Sequence, residues 1–171
     1  MEFTFNTDYN FKTLTIMAKA LRKTVRKKKS RNAHIFSYLV LLLGTFISFT
    51  SGFSPSASNI ITWIAMLIIL ATLLFEDKIN GYMAKKNMIK GTENAAATFN
   101  EDGFVSQTKA STTQWKYDKI ETLVEDDNYF IFLFSNIHAQ IYSKESIGGG
   151  TVDEFREFME KAAGKKAIRI K

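Results

Sequence analysis

The sequence predicts an α+β membrane protein. A two-helix transmembrane hairpin is followed by a small antiparallel β domain plugged by a C-terminal α-helix, and a strand and an amphipathic helix precede the hairpin. Three observations predict this. The 44 residues from Asn32 to Phe75 contain no Asp, Glu, Lys or Arg, enough chain for two bilayer crossings and a turn. Between Ala96 and Tyr142, short β-type runs alternate with turn residues. From Thr151 onward a helix-start signature leads into an apolar stripe of helical period.

The first segment, residues 1–32, opens with Met1-Glu2-Phe3-Thr4-Phe5-Asn6, which alternates apolar and polar residues as a half-buried strand does. Thr7 or Asp8 is then placed to cap a helix. Leu14, Met17, Leu21 and Val25 follow at spacings of three and four, with Lys12, Lys19, Lys23 and Arg26 on other faces, so the helix is amphipathic. It runs into a dense basic cluster that includes Lys27, Lys28, Lys29 and Arg31. These four are the candidate lipid head-group contacts. Cations flanking a membrane segment keep that end cytoplasmic, and near an anionic leaflet each contributes roughly 1 kcal/mol of attraction.

The hairpin occupies residues 33–75, with crossings at 33–53 and 57–75. A helix of 21 residues at about 1.5 Å per residue matches a hydrocarbon core of roughly 30 Å. The intervening Thr50 to Asn59 stretch holds the only proline, Pro55, with Gly52 and several serines, the chemistry of a tight reversal. Lys78, Lys85, Lys86 and Lys90 follow the second crossing, so both termini are expected in the cytoplasm of a two-span protein of the cell membrane. Ser37, Gly44 and Ser48 share a face of the first crossing, which allows close contact either within the hairpin or between copies of the chain. Tyr38 and Trp63 lie toward the ends of the crossings, where amphipathic rings favour the interface.

Residues 76–94 read as a juxtamembrane helix and linker, with Gly91 as its terminator, and residues 95–171 as the cytosolic β domain. The strand runs are 96–99, 104–108, 112–116, 120–124, 129–134 and 137–142. The run from Tyr129 to Phe134 is apolar on both faces and is therefore assigned the centre of the sheet, under the final helix. That helix is announced by Gly148-Gly149-Gly150, which permits a sharp entry, and by the Thr151/Glu154 capping box. Val152, Phe155, Phe158, Met159 and Ala162 form its apolar stripe, and Gly164 its C-cap. The basic tail from Lys165 is either a further strand or a frayed end.

The layout resembles a known family. The N-terminal strand and helix, the two-pass hairpin, Phe99-Asn100-Glu101-Asp102-Gly103-Phe104, Trp115 before Tyr117-Asp118-Lys119-Ile120, Glu125-Asp126-Asp127-Asn128-Tyr129, Ile141-Tyr142-Ser143-Lys144 and the closing amphipathic helix are similar to the YcxB-like bacterial membrane proteins. The resemblance implies a pleckstrin-homology-like (PH-like) cytosolic domain and no established activity. One departure is Ser143, where the family usually has proline before the lysine of the last strand.

Charge and composition narrow the function classes. Residues 1–32 carry nine Lys or Arg against two acids, net +7, whereas residues 76–171 are net −1. The basic balance thus belongs to the membrane-proximal segment, which sets nucleic acid aside as a partner. There is no cysteine, and the two histidines, His34 and His138, do not form a ligand pair, so neither a metal, a cofactor nor a catalytic residue is assigned. Glu125, Asp126 and Asp127 read as hairpin-turn residues, and the Gly148–Gly150 run lacks the Lys-Ser/Thr of a phosphate loop. Trp115 is expected in the core, and is also the aromatic assigned as a candidate partner contact. The expectation is a non-catalytic membrane protein, bound to the bilayer, whose cytosolic domain binds a protein partner or the inner leaflet. One version is immunity of a producer cell to a bacteriocin or toxin, the partner being the toxin or its membrane target. The alternatives are an anionic-lipid sensor or an accessory subunit of a transporter, and homo-oligomers are compatible with all of these.

Overall fold

A computed structural model describes residues 2–170. The first strand, β1 (Phe3–Asp8), buries Phe3, Phe5 and Thr7 and exposes the residues between them, as the alternation predicts. Helix α1 (Phe11–Lys23) is capped by Asn10, whose side chain accepts the Thr13 N–H at 3.0 Å. The cap is thus not Thr7 or Asp8, because β1 is still paired there: Asp8 lies opposite Asn94, and the Thr7 hydroxyl accepts the Ser143 N–H. Helix α1 stops where the Thr24 hydroxyl donates to the Ala20 carbonyl and the Thr24 backbone leaves helical values. The basic cluster therefore does not continue α1. It forms the opening turns of α2 (Lys27–Thr50), the first of two long apolar helices.

Helices α2 and α3 (Ala57–Lys86) are each long and apolar enough to cross a membrane. Their large apolar side chains, among them Phe36, Leu42, Phe46, Ile61, Leu67 and Leu74, point outward and are exposed, the inverse of a soluble core. Between the helices the contacts are small or polar. A Cβ on Gly44 would sit 2.8 Å from Met66 Sδ, and the Ser48 hydroxyl accepts the Trp63 Nε1–H at 3.1 Å. Gly44 and Ser48 thus serve contact within the hairpin. The Trp63 ring turns its polar edge to the partner helix, where the sequence places it at the interface. At the reversal, Asn59 donates to the Ser51 hydroxyl and the Ser54 carbonyl, both at 2.8 Å. Helix α3 departs from helical geometry at Phe75, where the charge-free run ends, and continues to Lys86. The terminator expected at Gly91 lies in the loop beyond, where its positive φ suits glycine.

Two four-stranded sheets follow. The first has the order β1-β2-β3-β4, with β2 (Asn94–Asn100), β3 (Gly103–Gln107) and β4 (Thr112–Trp115). The second has the order β7-β6-β5-β8, with β5 (Thr122–Glu125), β6 (Tyr129–Leu133), β7 (Ala139–Ser143) and β8 (Ile168–Arg169). All pairings are antiparallel except β5 with β8, so the basic tail is in part a strand. The N-terminal strand, which the sequence groups with the basic amphipathic helix in residues 1–32, belongs to the β domain through its six-residue register with β2.

Strand β6 is central, as its two apolar faces require, and each face has its own cover. Phe130 and Phe132 join a core of Phe3, Phe5, Phe99, Phe104 and Tyr142 with Phe155 and Met159 of α4 (Val152–Ala163). Ile131 and Leu133 pack with Ala20 and Leu21 of α1. The second cover is the apolar stripe of the amphipathic helix. Helix α4 has the full capping box: the Thr151 hydroxyl accepts the Glu154 N–H, and Glu154 accepts the Thr151 N–H at 2.7 Å. Its αL C-cap is Gly164. The glycine run before it has a reason that the sequence does not show: β1 lies against it. Gly149 has φ +85°, and a Cβ there would meet the Glu2 carbonyl oxygen at 2.0 Å.

Candidate functional site: a basic groove at the base of the hairpin

The groove exists because three helices are tied together at one level. Arg22 of α1 grips Asp77 of α3 with two parallel hydrogen bonds, from Nε at 2.6 Å and from Nη2 at 2.7 Å. Glu76 accepts from the Ser30 hydroxyl at 3.1 Å and lies 2.7 Å from His34 Nε2, both on α2. One turn further along α3, Gly81 lets α1 approach so closely that a Cβ would lie 2.8 Å from the Thr15 Cα. A bidentate Arg–carboxylate pair that is half-buried is both stronger and more directional than an exposed lysine pair. The clamp therefore fixes α1, and with it the second β sheet, against the stalk. Sequence reasoning missed it: Arg22 and Asp77 are 55 residues apart, and Glu76 and Asp77 read only as the polar end of a crossing.

With Glu76 and Asp77 satisfied on one side, the other side of α2 presents its cations outward. Lys27, Lys28, Lys29 and Arg31 are exposed, and among the described residues none of them has an ion-pair partner. They occupy the first two turns of a helix that has no acidic residue in its first turn and no side-chain cap. Cations at a helix N-terminus oppose the positive end of the macrodipole, so this placement costs stability unless an anion offsets it.

Lys27 and Arg31 line a groove of about 640 Å³ between α2 and the C-terminal strand. Arg169 faces them, with its Nε 3.9 Å from Glu125. Ile35 and Tyr38, further along α2, and Ile168 of β8 also line it, all exposed by about half. The groove is thus lined by both cationic and apolar side chains. Lys28 and Lys29 do not line it. Lys29 instead borders a second, smaller cleft with Ala33 and Ile137.

The other residues singled out in the sequence have structural partners. Trp115 is half-buried, 4.3 Å from the Phe134 ring and 5.1 Å from His138, and its Nε1 is buried without a hydrogen-bond partner. Burial lowers the His138 pKa, favouring the neutral ring. Glu125 is only 3% exposed and takes a bidentate pair from Arg156 and a 2.7 Å bond from Lys144. Burial alone would raise its carboxyl pKa, but the hydrogen bonds from Arg156 and Lys144 hold it at about 2. Lys144 also bonds the carbonyl oxygens of Asp126 and Asp127, so the acidic turn is tied to a lysine of the same domain. Among the described residues no group of three or more His, Cys, Asp or Glu is placed to hold a metal ion.

The family model of the YcxB-like proteins matches residues 99–159. The match runs from the end of β2 into α4, so it covers most of the β domain and leaves out the hairpin and the groove. No curated protein and no solved structure matches the chain. The resemblance read from Phe99-Asn100-Glu101-Asp102-Gly103-Phe104 and the motifs after it is thus a similarity of the β domain to the YcxB-like proteins, over residues 99–159.

Proposed function

We propose that this is a non-catalytic, two-span membrane protein with both termini in the cytoplasm, whose PH-like domain is held at the inner leaflet and binds an acidic phospholipid headgroup there. The supporting observation is the groove that Lys27, Arg31 and Arg169 line together with Ile35, Tyr38 and Ile168. Three other cations are tied to carboxylates of the fold: Arg22 to Asp77, and Lys144 and Arg156 to Glu125. Lys27 and Arg31 of the groove have no such partner among the described residues and are left for a ligand, while Arg169 keeps a long contact with Glu125. Two apposed four-stranded sheets closed by a C-terminal helix support the PH-like reading. Half-burial of Trp115 against Phe134 favours a packing role over a partner contact, so the lipid reading is preferred to a protein-binding one.

The test is native mass spectrometry of the full-length protein released from nanodiscs of equal phosphatidylglycerol and phosphatidylcholine content. Retention of phosphatidylglycerol is expected. Replacing Lys27 and Arg31 by Gln removes about 2 kcal/mol of attraction, about a thirtyfold loss of affinity. Equal retention of the two lipids, or preference for phosphatidylglycerol unchanged in the double variant, would overturn the reading.

A further inference from the structure

We propose that the β6–β7 hairpin tip, residues 135–138, is a second membrane contact, with Ile137 inserted into the interfacial region of the cytosolic leaflet as an apolar anchor for the β domain. Ile137 is 79% exposed, more than any other large apolar side chain among the described residues, including those on the outer faces of α2 and α3. A single exposed apolar side chain is ordinary on a protein surface, so its surroundings decide what it meets. Ile137 lines a cleft with Lys29 and Ala33 of α2 and Glu76 of α3. Ala33 begins the apolar part of the first long helix and Glu76 ends that of the second. The tip therefore stands at the level where the chain enters hydrocarbon, beside the cations that face anionic headgroups.

The tip is also held rigidly in that position. The Arg26 Nε–H donates to the Asn136 carbonyl, tying the tip to the residue just before α2. The Ser135 hydroxyl accepts the N–H groups of Ile137 and His138 at 3.2 and 3.1 Å, and Phe134 at its base is wedged against Trp115. A side chain presented by a preorganised turn loses little conformational freedom on insertion. On the opposite side of α2, Ile168 lines the headgroup groove. Two isoleucines thus straddle the entering helix, which would keep the domain from tilting about it.

The contact differs from the headgroup groove in its chemistry, burial of apolar surface rather than pairing of charge, so it is read in neutral lipid. The chain has no cysteine, and a single Ile137→Cys substitution gives a unique label site. Lys109→Cys is the reference. The Lys109 turn packs on Gly91, past the cytosolic end of α3, and the eleven residues from Glu76 to Lys86 alone carry α3 about 16 Å beyond the boundary. Each full-length variant is labelled with a fluorescent maleimide and placed in phosphatidylcholine nanodiscs that contain lipid brominated near the glycerol. Emission at position 137 should fall as the brominated fraction rises and resist aqueous iodide, while emission at position 109 should do the reverse. Position 137 as accessible to iodide as position 109, or bromine quenching equal at both, would overturn the proposal. Neither result would touch the phosphatidylglycerol preference, and loss of that preference would leave the depth of Ile137 unchanged.

Discussion

Glu125 shows how much a single side chain can organise. It is buried at the end of β5 and takes Lys144 from the start of the turn after β7 and Arg156 from α4, so one carboxylate joins a sheet to the helix that closes it. Glu125→Gln leaves two half-buried cations short of a charge, a loss of about 3 kcal/mol in unfolding free energy. The pH dependence has a definite sign. A carboxyl held at about 2 in the folded state, against roughly 4.3 when unfolded, stabilises fully above the unfolded value and loses that contribution as pH falls from about 5 to about 2. Thermal melts should therefore show the parent protein losing stability through that window and Glu125→Gln, lower at neutral pH, losing much less of it. Ser143 makes a smaller, converse case. Its φ of −74° suits proline, but its N–H donates to the buried Thr7 hydroxyl. Ser143→Pro should fold and lose about 1 kcal/mol, with Thr7→Val abolishing most of the difference. The sequence marks both positions, Glu125 as a turn residue and Ser143 as a departure from the YcxB-like pattern. It marks neither partner, because they lie 31 residues away for Arg156 and 136 for Thr7.

Among the elements, α1 carries most of the mechanical burden. One side covers Ile131 and Leu133 of β6, and the other crosses α3 at Gly81 and is pinned by Arg22 on Asp77. Gly81→Val should push the helices apart, cost roughly 1–3 kcal/mol, and raise hydrogen exchange in α1 and β6 together. Exchange confined to α3 would mean that the crossing does not transmit to the sheet. What the sequence reveals of the elements follows how local each signal is. The Thr151/Glu154 box and the Leu14-Met17-Leu21 stripe act over one or two turns and are legible. So is the double-sided apolar character of Tyr129 to Phe134. The break between α1 and α2 is not, since Thr24-Val25-Arg26 contains neither glycine nor proline, and the helix ends where the Thr24 backbone leaves helical values. The same is true of the Asn10 cap, which prevails over Thr7 and Asp8 only because β1 holds both of those in register with β2.

For the whole molecule, the charge-free run and its basic border are the decisive sequence signals, and they put Lys27, Lys28, Lys29 and Arg31 beside the first helix long and apolar enough to cross a membrane. The groove itself was illegible: Ile168 and Arg169, which form its far wall, reach it only through the parallel pairing of β8 with β5. The functional account depends on orientation, since the groove meets anionic lipid only if the β domain and the first turn of α2 share the cytosolic side. The most direct test is single-cysteine labelling in intact cells with a membrane-impermeant maleimide, comparing Ala57→Cys at the hairpin turn with Lys109→Cys in the β domain. The account predicts labelling of position 57 from outside and of position 109 only after permeabilisation. Labelling of position 109 in intact cells would contradict it.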